Sequence, residues 1–202
     1  MTHQLHIKTS DGTPVLLRPL ELRDEAALAE AIGSFSNRSR YMRFFSGVQP
    51  VPAPVIHRLA DVDGACHLAW VAIDESKPER PVIGATHAMR GTADEPVADF
   101  AIGLVDAWQH KGVARLLVAL LAAESRGKGI ASMTAEVLWE NRKGRALMTT
   151  IGANSTGTDG DVIHFRFDTE TALKRLNEAI RGDAQETVFT VIESGGLVPA
   201  AA

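Results

Sequence analysis

The chain has little of several things, and each scarcity narrows what it can be. Cys66 is its one cysteine, so no intramolecular disulfide forms and a reducing compartment is expected. No apolar run approaches the ~20 residues that span a bilayer, and the opening "MTHQLHIKTSDGTP" lacks the apolar core of a signal peptide. A cytoplasmic protein is therefore expected. A basic excess is missing too: 21 Lys and Arg against 25 Asp and Glu give a formal net charge of -4. That balance argues against nucleic acid or an anionic membrane as partner. His57, His87 and His164 lack ligand-like spacing with acids or thiols, so no metal is expected. What remains is the composition of an ordinary globular protein, 45% apolar and 23% charged.

The apolar pattern gives an α+β reading. "PVLLRPL" (14–20) reads as a first strand, followed by a helix with Asp24 as N-cap and Leu28, Ala31 and Ile32 on one face. "SNRSRYMRFF" (36–45) reads as a short helix with Tyr41, Phe44 and Phe45 packed inward and Arg40 and Arg43 solvated. The other choice places the two arginines beside an acidic substrate or phosphate. "VIHRLADV" makes one more short helix after a proline-rich connection. Three strand candidates, 67–74, 82–90 and 97–105, are joined by short polar links and form an antiparallel meander.

A helix from Gly112 ends near Gly127. Then come a strand over 132–140, a helix over 141–152 capped by Asn141, and a turn-rich stretch, "ANSTGTDGD". A strand follows over "VIHFRFDT", then a helix from about Glu170 to Arg181, "TVFTVIE" as a last strand, and a frayed tail "SGGLVPAAA". No repeat or linker divides the chain. We read one domain over 1–202, with a core of about 15–170 and a C-terminal helix and tail from about 170. That helix either covers the domain or joins two copies as a homodimer.

"VDAWQHKGVARLL" (105–117) changes from strand to amphipathic helix within a few residues. A helix N-terminus exposes N–H groups without helical acceptors and carries partial positive charge. Gly112 and Ala114 leave the backbone open, and His110, Lys111 and Arg115 add donors, so a diphosphate would suit the place. The plainer reading is a helix start with solvated cations.

The order of this segment, its preceding meander and its following strand and cap resembles the GNAT superfamily of acyl-CoA-dependent N-acyltransferases. The superfamily signature [Q/R]-x-x-G-x-[G/A] matches Gln109, Gly112 and Ala114. "SRYMRFFS", "ADFAI", "DAWQHKGVARLL" and "EVLWENRKGRAL" resemble stretches of the catalytic domain of bacterial Pat-type protein lysine acetyltransferases, over roughly residues 15–170. The resemblance implies a mixed, mostly antiparallel central sheet flanked by helices. It implies acetyl-CoA as acyl donor, with its pyrophosphate on the backbone of Gln109, His110, Lys111, Gly112, Val113, Ala114 and Arg115. The acyl carbonyl and pantetheine would bond to Ile102, Gly103, Leu104 and Val105, and Asn141 would face the cofactor.

The resemblance makes Asp99 the candidate base, in a position where Pat-like domains usually carry glutamate. Met148 stands where many members have a tyrosine that protonates the departing thiolate, and Ala153 where an aromatic is usual. Alternation puts Asp99 on one face with Ala101, Gly103 and Val105, and Phe100, Ile102 and Leu104 on the other. At ~3.3 Å per residue Asp99 lies roughly 10–20 Å from the 102–105 segment, which implies a water-relayed base. Cys66 beside His67 does not make a catalytic pair; a small buried thiol is expected there. The acceptor is an amine, either a protein lysine or a small molecule. A catalytically weak acyl-CoA sensor is the alternative from another class.

Overall fold

The computed structural model describes residues 4–195 and Leu197. Its centre is one eight-stranded sheet. The strands are β1 (Leu5–Lys8), β2 (Pro14–Pro19), β3 (His67–Asp74), β4 (Val82–Met89), β5 (Val97–Leu104), β6 (Ser132–Leu138), β7 (Asn154–Asp159) and β8 (Val162–Asp168). Their spatial order is β1-β2-β3-β4-β5-β6-β8-β7. All neighbours are antiparallel except β5 and β6. The mixed, mostly antiparallel sheet flanked by helices is therefore as expected, and the three-strand meander lies in β3–β5.

Helices cover both faces. α1 (Glu25–Gly33), α2 (Asn37–Phe44) and α3 (Ala53–Ala60) lie over one; α4 (Val113–Gly127), α6 (Thr169–Ala179) and α7 (Asp183–Glu193) lie over the other. α5 (Arg142–Thr150) follows β6. Because β3 is covered on both sides, all eight of its residues are buried and its sequence shows no polar alternation. Along β3, Leu68, Trp70 and Ala72 pack towards α4, while Ala69, Val71 and Ile73 pack towards α1 and α3. α4 is the central helix: ten of its 15 residues are buried. Leu117, Leu120 and Leu121 are wholly enclosed, each contributing about 1.5–3 kcal/mol of burial.

Several sequence expectations need correction. The chain starts with β1, which the pattern reading passed over; Leu5 and Ile7 point inward, and Asp11-Gly12 turns the hairpin into β2. "NSTGTD" is a strand, not a loop. Every residue of β7 is exposed, so no hydrophobic alternation marks it, and pairing with β8 alone defines it. "TVFTVIE" is part of helix α7, not a strand. Val188, Phe189 and Ile192 are the buried residues, spaced as on one helical face, and that packing overrides the β preference of Thr and Val.

Asp24 does precede α1, but its side chain does not cap that helix. It forms a buried ion pair with Arg18 at 2.6 Å and accepts the Glu21 N–H, tying the end of β2 to the start of α1. Of the three aromatics at α2, only Phe44 packs inward as expected; Tyr41 and Phe45 are exposed, while Arg40 is buried and Arg43 half-buried, against expectation. Of the expected frayed tail, Leu197 is buried, while residues 196 and 198–202 lie outside the described residues.

Candidate functional site

β5 and β6 pair in parallel through only Val97–Ser132, Ala98–Met133 and Asp99–Thr134. Beyond that point β5 continues to Leu104 and β6 to Leu138, yet the two do not pair again. The sheet therefore opens at its middle. Val105 donates its N–H to the Ile83 carbonyl on the β4 side at 2.9 Å. By alternation, the backbone groups of Ile102 and Leu104 face the opening. Beyond Asp99 and Thr134 the two strand edges do not pair with each other, although Gln109 already donates to the Leu104 carbonyl and Asn141 to that of Leu138.

A 3-10 turn over Asp106–Trp108 leads from β5 into the "QHKG" loop, where His110 has φ 66° and Gly112 has φ 86°. The second of these explains the glycine: L residues with a Cβ rarely take that conformation, and the space beside it is free to 4 Å. α4 begins immediately after. The N–H groups of Val113 and Ala114 have no helical carbonyl behind them, and the helix dipole adds to their positive potential. Beside Gly112 and Arg115 is an open groove of about 570 Å³, bounded by the β1–β2 hairpin and the α6–α7 connection. Lys8, His110, Lys111, Arg115 and Arg181 line it, with Asp183 opposing them. The groove suits a polyanion.

The individual side chains divide into those free for a ligand and those already engaged. Gln109 turns back into the protein, donating to the Leu104 carbonyl at 3.3 Å and accepting from Lys143 at 2.5 Å. It ties the loop to β5 and to α5. Lys111 is paired with Asp11 at 2.7 Å and sits 4.8 Å over the Trp108 ring. Asp11 is held well below the usual carboxylate range, first by that lysine and then by Thr9 and Thr13. Arg115 is exposed, with one long bond to the Ala179 carbonyl at 3.5 Å. Asn141 caps α5 as expected, accepting the Gly144 N–H at 2.8 Å, so its carbonyl oxygen is in use.

Asp99 is exposed at the closed end of the opening, on the last residue pair before the strands part. Thr134 donates its hydroxyl to the Asp99 carboxylate at 2.7 Å, which orients it as an acceptor. Asp99, Ala101 and Gly103 share a face with Met89, His87 and Ala85 of β4. Met148 is buried in the core and offers no proton to a leaving group. Among the described residues no cluster of three or more His, Cys, Asp or Glu could hold a metal ion.

Sequence reasoning missed the roles of Asp106 and His87 and favoured a solvated position for Arg43. Asp106, just past β5, accepts from the Ser36 N–H and hydroxyl and from the Ser39 hydroxyl, anchoring the start of α2 beside the "QHKG" loop. Burial works against its ionisation, but those bonds prevail and lower its pKa. The other two, Arg43 and His87, face the same crevice beside β5. An N-cap signal at Ser36 was readable; its partner 70 residues away was not.

No family model matches the chain. It is 27% identical over 147 residues to the acetyltransferase Pat of Mycolicibacterium smegmatis, covering 73% of this chain and 43% of that protein. An acetyltransferase of Pseudomonas aeruginosa is 25% identical over 142 residues, covering 70% of this chain and 76% of its own length. The chain thus spans less than half of the mycobacterial relative. Its structure matches the crystal structure of the GNAT domain of S. lividans PAT with a TM-score of 0.73 at 27% identity, covering 82% of this chain and 96% of that one. The fold is the GNAT fold, and the chain resembles acetyltransferases of the Pat kind.

Proposed function

We propose that this GNAT-fold chain transfers an acetyl group from acetyl-CoA to an amine. The observation that carries the reading is the coincidence of two ligand-shaped features: the opening between β5 and β6, and the open, basic groove at the N-terminus of α4. The first suits an extended amide-bearing chain and the second a diphosphate, and Leu104 and the Gln109 loop join them. Coenzyme A has those two parts in that order.

The transfer needs a neutral amine, a polarised thioester carbonyl and an exit for the thiolate. A lysine-like amine arrives protonated, with a reference pKa of about 10.4. Asp99, accepting from Thr134 and open to solvent, takes that proton through water, because it lies roughly 10 Å along the strand from Ile102. The amine nitrogen then forms its bond to the acyl carbon, and backbone N–H groups at the opening stabilise the oxyanion. As the carbon–sulfur bond breaks, the nitrogen gives up its second proton to water and the thiolate leaves towards solvent. A protein lysine or a small amine both satisfy this chemistry.

Calorimetric titration with acetyl-CoA tests the reading, with Gly112→Glu as the comparison. A carboxylate at that position intrudes on the groove and opposes a diphosphate by like charge. Binding by the natural chain and its loss in the variant support the reading; equal binding by both removes the loop from the cofactor site.

A further inference from the structure

Between α1, α2, α3 and the β4–β5 pair lies a crevice walled by Leu28, Ile32, Phe35, Phe44 and Leu59, open on one side. Two polar side chains, Arg43 and His87, are set into these apolar walls. Arg43 makes no hydrogen bond or ion pair with any described residue. Its guanidinium carbon stands 4.9 Å from the Phe44 ring, and its Cδ lies 3.6 Å from where a Cβ on Gly103 would be. Burial alone pulls its pKa down to about 10. The other inward arginine of α2 behaves differently: Arg40 donates to Asn37, Gln49 and the Phe35 carbonyl. The Arg43 guanidinium is half-buried, its nitrogens reach the open side of the crevice, and no described carboxylate meets them there.

His87 completes the pattern through its tautomer. The Asp61 carbonyl can only accept, so His67 donates to it from Nδ1 at 3.0 Å. Burial lowers the pKa of both histidines and keeps them neutral, so Nε2 of His67 is an acceptor. His87 must then donate to it from Nδ1, at 3.1 Å. Nε2 of His87 is left with a lone pair and no partner among the described residues. The crevice therefore offers a donor-only group and an acceptor-only group in apolar surroundings. His87 lies opposite Ala101, between the positions of Asp99 and Gly103 on the same face.

We propose that Arg43 and His87 recognise an acceptor with a carboxylate close to its amine, as in a free amino acid. The carboxylate sits on the Arg43 guanidinium, and an N–H of the amine donates to Nε2 of His87, which holds the nitrogen over Ala101 beside the reactive strand. The space next to the two groups is small, about 20 Å³, room for one water-sized group. Only the amine nitrogen enters it; the carboxylate meets Arg43 on the open side and the rest of the acceptor stays outside. This rests on the acyl-transfer reading and selects the small-molecule branch of it.

Matched pairs of amino acids and their carboxamides test the proposal in two assays: calorimetric binding in the presence of CoA, and thiol release from acetyl-CoA. The natural chain should bind the acids about tenfold or more tightly than the amides, the scale of a charge-assisted bond. Arg43→Gln should abolish that preference while leaving amide and acetyl-CoA binding unchanged, and Arg43→Lys should restore part of it. Equal affinity for acid and amide in the natural chain, including no measurable binding of either, overturns the proposal. So does a preference that survives in Arg43→Gln. Acid-selective binding through Arg43 without thiol release upholds the recognition site and refutes the transferase reading. Thiol release with uncharged amines and no advantage for acids does the reverse.

Discussion

Gly84 on β4 faces the end of β5 with no room for a side chain. A Cβ built there would stand 2.7 Å from Cγ of Leu104 and 2.8 Å from the backbone oxygen of Gly103. Its φ is outside the left-handed region, so the demand is steric alone. Gly84→Ala should gain about 0.4–1 kcal/mol by stiffening the unfolded chain. It should lose about 1–3 kcal/mol by overpacking, because one of the colliding atoms is backbone and cannot rotate away. The balance is a loss of about 1–2 kcal/mol, or roughly 2–8 °C in Tm for a chain of this size. The same substitution at Gly33, at the exposed end of α1 with nothing within 4 Å, should raise stability by about 0.4–1 kcal/mol. Thermal unfolding of both variants reads the two signs. Because Gly103 and Leu104 belong to the stretch of β5 whose other edge faces the opening, a shift there should also weaken acetyl-CoA binding, and Gly33→Ala should not. A Gly84→Ala protein as stable as the natural chain, with unchanged affinity, would refute the packing argument.

Asp99→Asn should lower kcat by about 10²-fold or more while leaving acetyl-CoA affinity unchanged, measured by thiol release and calorimetry; parallel loss of both would remove the base assignment. Folding stability should fall with acid below pH 6.5. Burial depresses the folded pKa of His67 and His87, so below the unfolded value of about 6.5 the unfolded chain takes up protons that the folded chain refuses. Each histidine then contributes up to about 1.4 kcal/mol of lost stability per pH unit until its folded pKa is reached. His57, exposed beside Glu25 with a raised pKa, works in the opposite and weaker sense. Urea unfolding between pH 7.5 and 5 checks this, and a flat midpoint would contradict the buried neutral pair.

How much of this was readable in the sequence depended on how much apolar surface each element buries. α4 announces itself through Val113, Leu116, Leu117, Leu120 and Leu121, and β3–β5 through apolar runs between polar links. Gly112 was readable as a helix-start glycine because its left-handed φ is a local requirement. β7 was invisible because neither of its faces is buried, and α7 was misread because its residue types favour strand while their spacing favours helix. Arg40 is held by its sequence neighbours Phe35, Asn37 and Gln49, while Arg43 lies beside Gly103 of β5; the pattern of α2 alone placed Phe44 inward but misplaced Tyr41, Phe45 and the two arginines. Gln109 fits the motif, yet its side chain holds the loop in shape, a role that depends on Leu104 and Lys143 being brought to it.

The polar strand β7 has one more effect. It is the outer rim of the sheet, and its residues are Asn, Ser, Thr, Gly, Thr and Asp, with an irregular register between Ser155 and Gly157. Such a rim is a poor template for another chain's backbone, and the four-residue β1 at the opposite rim offers too short a ladder to be a good one. The sheet thus discourages growth at its two margins and keeps its unpaired backbone in the interior, where the surrounding helices and loops limit what can reach it. The same arrangement that leaves β5 and β6 unpaired beyond Asp99 and Thr134 gives strand addition little to grow on at the two margins.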